Sequence, residues 1–352
     1  MWAGFGGYLL FLASAPRLGV RVVRNTIVFL VVTFAAFPVL LSHDVYSYVD
    51  YARLGVRHGL DPYVHPPLAA PADPAYAEVT WTEATSAYGP LFTLLTYPLA
   101  WLPVGLAVAV LKTVAALSVL AIAVLVGRIA AWRGVGPLRA AAFVALNPLV
   151  LVHVVGGAHN DGLTMLLATL SVAALLSARE LSAGAALVAA VATKASAAFL
   201  APFALLGARG RGSFLAGAAI AGAGIAAAAW LAFGWDWLHG FGLAGENQSR
   251  TSYMSIPILT ARLTGLDADA VRLAAVLLFA AVVAYLLAWT WRGGDWVRAA
   301  AWAALALLLA TAWLLPWYLI WALPLVAISR DRPLQLLTLG LTAYQLGARI
   351  PL

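Results

Sequence analysis

The chain of 352 residues contains no cysteine, only two lysines and few charged residues of any kind. The absence of cysteine excludes disulfide bonds and thiolate chemistry. Charged residues make up 10% of the sequence, whereas they make up about a quarter of a soluble domain. By contrast, 64% of the residues are hydrophobic, which is more apolar surface than one soluble core can bury. The composition therefore predicts an integral protein that crosses the membrane several times.

Several familiar catalytic patterns are also missing. The sequence has no P-loop, no dinucleotide-binding fingerprint and no nucleophile elbow. His43, Asp44, His159 and Asp161 are residue types that bind metals, but they lack the short, regular spacing of zinc and metalloprotease sites. We interpret them as hydrogen-bonding groups. The sequence thus predicts neither a metal ion nor an organic cofactor.

The charges that are present divide between two sets of loops. Eleven of the fourteen acidic residues and all six histidines fall in one set. The other set carries thirteen arginines beside apolar stretches, at Arg17, Arg21, Arg24, Arg128, Arg133, Arg139, Arg179, Arg209, Arg211, Arg292, Arg298, Arg330 and Arg332. Because short basic loops stay in the cytoplasm, the acidic loops are predicted to face the exterior. The net charge of +7 then reflects orientation and lipid headgroup contact, and we expect no nucleic acid partner.

The hydropathy pattern predicts an all-α polytopic membrane fold of about ten or eleven segments, in a single domain over residues 1–352. At the start of the chain apolar residues precede basic ones, the reverse of a secretory signal, so we expect an interfacial helix or a short span. Residues 90–101 are too few to span comfortably and predict a re-entrant or interfacial helix. Residues 182–207 have arginines near both ends, so this segment is predicted to turn back at Lys194 as two short re-entrant helices.

The first outer loop opens on a dense polar stretch. Asp44 follows the first long apolar run almost directly, so its carboxylate is predicted to lie at the membrane surface. If this stretch is helical, Asp44, Tyr48 and Tyr51 share one face, and one acid with two phenols suits a sugar. The alternative is that Asp44 only caps a helix. Arg53 either contacts a lipid phosphate or anchors the loop.

A second polar cluster follows two glycines at an outward hairpin. His159, Asn160 and Asp161 stand there among leucine and valine, and polar groups at membrane depth favour a functional site. The alternative is that Asn160 or Asp161 only caps the next helix. The ammonium group of Lys194 needs a partner, which is either a phosphate group or an acid such as Asp161 or Asp44.

The two long outer loops, at about 42–103 and 234–268, are predicted to form the active-site face. In the second loop Asn247, Gln248 and Arg250 could bind sugar hydroxyls or a phosphate group. The alternative is an ordinary solvated loop.

Several short motifs follow one another in a consistent order along most of the chain. They are Asp44, Tyr48, Ala52 and Arg53; Gly59, Asp61, Pro62 and Tyr63; Tyr88-Gly89-Pro90-Leu91; the stretch Gly156-Gly157-Ala158-His159-Asn160-Asp161; Thr193-Lys194; and Pro316-Trp317-Tyr318-Leu319-Ile320-Trp321. In this order they resemble the GT-C glycosyltransferases that use polyprenyl-phosphate sugars. Within these, the chain is most similar to the actinobacterial polyprenyl-phosphate-mannose-dependent α-mannosyltransferases of lipomannan and lipoglycan assembly.

The resemblance implies an inverting, metal-independent transfer of mannose from a polyprenyl monophosphate to a hydroxyl of a glycan or glycolipid. Asp44 would act as general base on the extracytoplasmic side of a bacterial plasma membrane. The donor phosphate or lipid would contact Lys194, Arg250, His159 and Arg53. The sugar or acceptor would contact His43, Tyr48, Tyr51, Asn160, Asp161, Asn247, Gln248, Trp317 and Tyr318. For the two last residues an interfacial aromatic belt is the alternative. No cofactor is implied beyond the lipid-linked donor.

Two other functions stay open. A transporter or flippase for a lipid-linked sugar would handle the same donor, but transporters tend to show inverted repeats and polar residues at the bilayer midplane. Neither feature is evident in this sequence. A ligase that uses a lipid pyrophosphate would need more arginines around its outer cavity.

Overall fold

The structure is a computed structural model and describes residues 2–246 and 250–348. These residues form α-helices and short 3-10 or π-helical turns, and they contain no β-strand. The α-helices are α1 Trp2–Ser14, α2 Val20–Ala36, α3 Asp44–Arg57, α4 Pro90–Thr96, α5 Val104–Trp132, α6 Pro137–Ala145, α7 Asp161–Leu176, α8 Glu180–Thr193, α9 Ala201–Gly207, α10 Arg211–Phe233, α11 His239–Glu246, α12 Ile256–Thr264, α13 Ala268–Trp291, α14 Trp296–Ala310, α15 Leu323–Ile328 and α16 Arg332–Gly347. The all-α fold predicted from the sequence is confirmed.

Three of the described helices, α5, α10 and α13, are long and apolar enough to cross a membrane by themselves. The other apolar helices are shorter, and some predicted segments are broken into pieces. Residues 137–155, for example, contain α6 and a π-helical turn at Val150–Val155. The break falls at Asn147, because the following Pro148 disfavours a helical residue before it. The Asn147 side chain then accepts a hydrogen bond from the backbone N–H of Leu149, at 3.0 Å.

The helices α8 and α10 lie side by side at van der Waals distance. A Cβ atom on Gly184 would come within 1.9 Å of the Phe214 carbonyl oxygen, and one on Gly217 within 1.9 Å of the Leu181 carbonyl oxygen. Leu181 of α8 contacts Gly217 of α10, Gly184 contacts Phe214 and Ala218, and Val188 contacts Gly222. Because later residues of α8 contact later residues of α10, the two helices run in the same direction.

Two parallel neighbours require the chain between them to come back to its starting side. A Cβ atom on Gly210, just before α10, would lie 3.7 Å from the Glu180 side chain at the start of α8. Residues 181–209 therefore leave and return on the same side. The turn is at Lys194, which has an extended backbone (φ −157°, ψ 127°) between α8 and the 3-10 helix Ala195–Leu200. The predicted re-entrant pair of helices, with Lys194 at its tip, is confirmed.

The main core lies between α5, α6, α7, α14 and α15, where buried alanine, valine and leucine side chains pack together. A smaller core holds α3 over α4 and α5 through Val45, Tyr48 and Phe92. Between the two cores lies Lys112 of α5, which donates hydrogen bonds to the carbonyl oxygens of Phe37, at 2.5 Å, and of Gly156, at 3.0 Å. This packing brings the first turn of α3 next to the hairpin that precedes α7.

Candidate active site

One large cavity, of about 1290 Å³, opens where α3, the hairpin at Lys194 and the stretch Trp313–Trp321 meet. Charged and hydroxyl-bearing side chains line one end of it: Asp44, Ser47, Tyr51, Thr80, Thr82, Glu83, Thr85, Lys194, Ser196 and Arg250. An apolar flank continues along the 3-10 helix Ala195–Leu200, α9, α13 and α14: Phe199, Pro202, Phe203, Phe279, Val283, Ala303 and Leu307. The cavity is thus polar at one end and apolar along the other, which suits a ligand with a polar head and a hydrocarbon tail.

Two carboxylates, Asp44 and Glu83, line this cavity, and Asp44 is the one that interacts with Lys194. It is the first residue of α3, yet it does not cap the helix, because the N-cap residue is His43 and no side-chain cap bond forms there. The Asp44 side chain is instead held from two sides. Its Oδ1 accepts a hydrogen bond from Trp81 Nε1 at 3.2 Å, and its Oδ2 lies 3.7 Å from His159 Nδ1. Burial raises the pKa of Asp44, and the nearby Lys194 partly opposes this rise.

Lys194 supplies the positive charge. Its Nζ donates to Asp161 Oδ2 at 2.7 Å, so the predicted alternative of pairing with an acid is the one observed. The cation also lies over the rings of Tyr318, at 5.2 Å, and Trp321, at 5.8 Å. Since an ammonium group has three donors, the bond to Asp161 leaves two for other partners. The Lys194 side chain reaches the cavity wall with 18% of its surface exposed.

Asp161 is fully buried behind Lys194, and this position does not fit the prediction that it binds sugar. Its second carboxylate oxygen accepts a hydrogen bond from Trp321 Nε1 at 2.6 Å. Both oxygens therefore bind protein groups. The structure indicates that Asp161 holds Lys194 and Trp321 in place at the cavity wall.

His159 and Asn160 also lie behind the cavity wall. The His159 ring is 1% exposed and stacks on Trp317, with ring centroids 3.8 Å apart. This burial does not fit the prediction that His159 contacts the donor phosphate. The Asn160 side chain is buried too and finds no hydrogen-bond partner among the described residues, so it does not reach a sugar in the cavity.

The predicted face of α3 is only partly right. Asp44 and Tyr51 both line the cavity, and the Tyr51 hydroxyl donates to the Ala84 carbonyl oxygen at 2.7 Å. Tyr48 lies beneath them and is 2% exposed. Its ring packs edge-on against Tyr88 and Phe92, with centroid distances of 4.8 and 5.0 Å. Tyr48 therefore supports the site from the core and does not touch a ligand in the cavity.

Two other predicted ligands lie away from the cavity. Arg53 is buried, where its Nε donates to Asp73 Oδ1 at 2.7 Å and its Nη1 donates to the Ala100 carbonyl oxygen at 3.1 Å. Its charge is therefore neutralised inside the first loop, and the prediction of a phosphate contact does not fit. His43 is half exposed and faces Glu78, whose carbonyl oxygen lies 3.1 Å from its Nδ1. This direction takes His43 away from the cavity lining.

The remaining predicted residues of the second loop divide into two groups. Arg250 lines the cavity, and its guanidinium group lies over the Trp81 ring at 5.1 Å. Asn247 and Gln248 lie outside the described residues. Trp317 and Tyr318 line the cavity. Trp81 was not predicted, because a single tryptophan in a polar loop carries no motif that would point to Asp44.

Within residues 2–246 and 250–348 no three histidine or acidic side chains come close enough to hold a metal ion. Among the four residues considered for a metal, His159 Nδ1 lies 3.7 Å from Asp44 Oδ2. His43 faces Glu78, and Asp161 binds Lys194 and Trp321.

Comparison with known proteins places these features in a family. The sequence profile described as alpha-(1->6)-mannopyranosyltransferase, N-terminal domain, matches residues 2–210, which is more than half of the chain. Alpha-(1->6)-mannopyranosyltransferase A of Mycobacterium tuberculosis is 31% identical over 207 residues, which are 57% of this chain and 39% of that protein. The protein of the same name from Corynebacterium glutamicum is 32% identical over 199 residues, covering 54% of this chain and 39% of that protein.

These matches cover about two-fifths of the length of the curated relatives. The family profile includes Asp44, the hairpin before α7 and Lys194, because all of these lie within residues 2–210. No solved structure matches the fold significantly.

Proposed function

Since this chain belongs to the alpha-(1->6)-mannopyranosyltransferase family, we propose that it transfers mannose from a polyprenyl monophosphate to a hydroxyl group of a glycan or glycolipid. The observation that carries this proposal is the presence of one carboxylate, Asp44, and one ammonium group, Lys194, in the wall of the same cavity. A base for the acceptor and a cation for the leaving phosphate are the two groups that such a transfer needs.

The proposed reaction is a single displacement. The acceptor hydroxyl oxygen attacks C1 of the mannose, and its proton passes to the Asp44 carboxylate. The bond between C1 and the phosphate oxygen breaks, and the polyprenyl phosphate leaves with the electron pair. Attack from the face opposite the phosphate converts a β-linked donor into an α-mannoside. The raised pKa of Asp44, caused by its burial, makes the carboxylate a stronger base than an exposed aspartate.

Fixed cations stabilise the leaving phosphate in this scheme. Lys194 has two ammonium donors left after its bond to Asp161, and Arg250 lies on the same cavity wall. Because the leaving group is a monophosphate, these groups can balance its charge without a divalent ion. We therefore propose that the reaction needs no metal.

The apolar flank of the cavity fits the hydrocarbon chain of the donor. Phe279 and Val283 of α13 line this flank together with Phe199 and Phe203 of the hairpin. A polyprenyl chain would leave the polar end next to Lys194 and follow these side chains into the bilayer. The polar end would then open on the extracytoplasmic side of a plasma membrane, as the distribution of arginines predicts.

Reconstitution of the purified protein in vesicles tests the proposal. Polyprenyl-monophosphate mannose with a labelled sugar is added with a mannan acceptor, and the product is isolated and its linkage determined. Formation of an α-mannoside from the monophosphate donor supports the proposal. Transfer only from a pyrophosphate donor indicates the ligase, and movement of labelled donor across the vesicle without a glycosidic product indicates the flippase.

A further inference from the structure

His159 has an unusual environment for a side chain with two polar atoms. Its ring is 1% exposed, and neither Nδ1 nor Nε2 has a hydrogen-bond partner among the described residues. A buried polar atom without a partner destabilises the folded state, because it has lost its hydrogen bonds to water. An imidazole ring is therefore less favourable at this buried position than an apolar side chain. Because the ring lies beside the proposed active site, we expect it to gain a hydrogen-bond partner during the reaction.

The His159 ring lies close to the carboxylate of Asp44. Its Nδ1 lies 3.7 Å from Asp44 Oδ2, which is less than 1 Å beyond an ordinary hydrogen bond of about 2.9 Å. Two neighbours are compatible with this position of the ring. Trp317 stacks on one face with an interplanar angle of 20°. Gly157 lies at the ring edge, where a Cβ atom would come within 3.1 Å of the His159 ring.

We propose that His159 is the positioning residue of Asp44: its Nδ1–H closes on Oδ2 when the acceptor binds and fixes the carboxylate towards the attacking hydroxyl. Trp81 already holds Oδ1 from the other side at 3.2 Å. With one donor on each oxygen, the carboxylate keeps free lone pairs towards the cavity. This inference rests on the proposed function, and it replaces the phosphate contact that the sequence suggested for His159.

The surrounding charges keep the imidazole neutral. Burial and the ammonium group of Lys194 lower the pKa of His159, and His153 acts in the same direction. A neutral imidazole carries one N–H and one lone pair, and the approach to Asp44 assigns the N–H to Nδ1. Asp44 itself faces Lys194 and Asp161 besides His159 and Trp81. His159 thus adds a hydrogen-bond donor near the base without adding a charge.

Two substitutions separate the hydrogen bond from the packing. His159→Asn keeps an N–H donor near the position of Nδ1, whereas His159→Phe keeps the stacking on Trp317 and removes the donor. We expect His159→Phe to lower kcat roughly 100-fold, the size of effect that follows a misplaced catalytic group, with the KM for the donor unchanged. His159→Asn should recover most of this loss. Thermal unfolding of both purified variants checks that they fold.

A double-mutant cycle with Asp44→Glu, which keeps a carboxylate, connects His159 to the base. If His159 acts through Asp44, its replacement by Phe costs much less in the Asp44→Glu background than in the native one. The acid limb of the pH profile of kcat should also shift in His159→Phe, because the charged form of Asp44 loses a donor. Equal kcat in His159→Phe and the native protein, or a rise in donor KM alone, would overturn the inference. An active Asp44→Asn variant, measured apart from the cycle, would instead overturn the proposed base.

Discussion

Two clusters of charge lie on the same helix, α3, and they differ in what their charges contact. At the start of the helix Asp44 lines an open cavity with Lys194; its Oδ1 accepts a hydrogen bond from Trp81 at 3.2 Å, and its Oδ2 lies 3.7 Å from His159 Nδ1. Two to three turns later Arg53 forms a buried ion pair with Asp73, which also binds His58 Nε2 at 2.8 Å. The first cluster keeps bonding capacity for a ligand. The second uses its capacity to fasten the first loop onto the helix.

The two lysines repeat this difference. Lys112 is buried and donates only to backbone carbonyl oxygens, of Phe37, Pro38 and Gly156. Lys194 shares its charge with Asp161 but also reaches the cavity. Residue type does not distinguish the two lysines, whereas the number of ammonium donors left free towards an open space does.

The same substitution in both clusters should have opposite consequences. We expect Asp44→Asn to lower kcat by roughly 10²–10⁴-fold, the contribution of a general base, with little change in unfolding temperature. Asp73→Asn removes the acceptor of a buried arginine and should cost about 3–5 kcal/mol of stability, while the activity per folded molecule persists. Mannosyl transfer assays and thermal unfolding on both variants give the comparison. Full activity of Asp44→Asn would exclude it as the base.

Acidification should inactivate the enzyme through the same carboxylate. The base must be ionised to accept a proton, so activity falls as the pH drops through the pKa of Asp44. Because burial raises that pKa, this fall should occur at a higher pH than for an exposed aspartate. The pH dependence of kcat, measured over a range where the protein stays folded, checks the position of the limb. An acid limb at the ordinary aspartate value of about 3.9 would contradict it.

Replacing either lysine by methionine should separate ligand binding from folding. Lys194→Met removes a charge-assisted contact worth about 1.5–3 kcal/mol, so the donor KM should rise roughly 10–100-fold. The same change leaves Asp161 buried without its cation, and a second substitution, Asp161→Asn, should restore stability without restoring donor affinity. Lys112→Met should lower the unfolding temperature and leave the donor KM unchanged. A donor KM that responds equally to both lysines would remove the distinction between the two sites.

A smaller, pH-dependent effect is expected at Asp50, which lies on α3 between the two clusters. Burial and the nearby Asp73 raise its pKa to about 7, while His58 and Arg53 oppose the rise. The unfolded chain releases this proton near pH 4, so ionisation of Asp50 disfavours the folded state, and stability falls as the pH rises from about 4 to about 7.

Replacing Asp50 by asparagine removes that ionisation. Asp50→Asn should raise the unfolding temperature by roughly 2–4 °C above neutral pH and change it little below about pH 4, where the native carboxyl is protonated in both the folded and the unfolded chain. The exposed Asp269 provides the control, since Asp269→Asn should show no such pH dependence. A stabilisation of the same size at both pH values would assign the effect to packing.

The least effect is expected from a chelator. If Lys194 and Arg250 balance the charge of the leaving phosphate, removal of divalent ions should leave the rate of transfer unchanged. The assay is run with purified protein and donor before and after chelation. Loss of activity that returns with one added divalent ion would show that a metal takes part.

Several features could be predicted because they depend on local sequence. The hairpin with its tip at Lys194 follows from arginines at both ends of one apolar segment, which the parallel contacts of α8 and α10 confirm. Asp44 could be singled out because it follows an apolar run directly. The positions of Arg53 and Tyr48 were not predictable in this way, because helical spacing shows which residues share a face but not what that face meets.

The sequence by itself determined the helical membrane character of this protein, its break at Lys194 and the family to which it belongs, since hydropathy and short motifs act over a few residues. Only the tertiary structure decided that Asp161 holds Lys194 and Trp321, across 33 and 160 positions of the chain, and that His159 turns to Asp44. Such pairs depend on which helices pack together, and packing is a property of the whole chain rather than of any one segment.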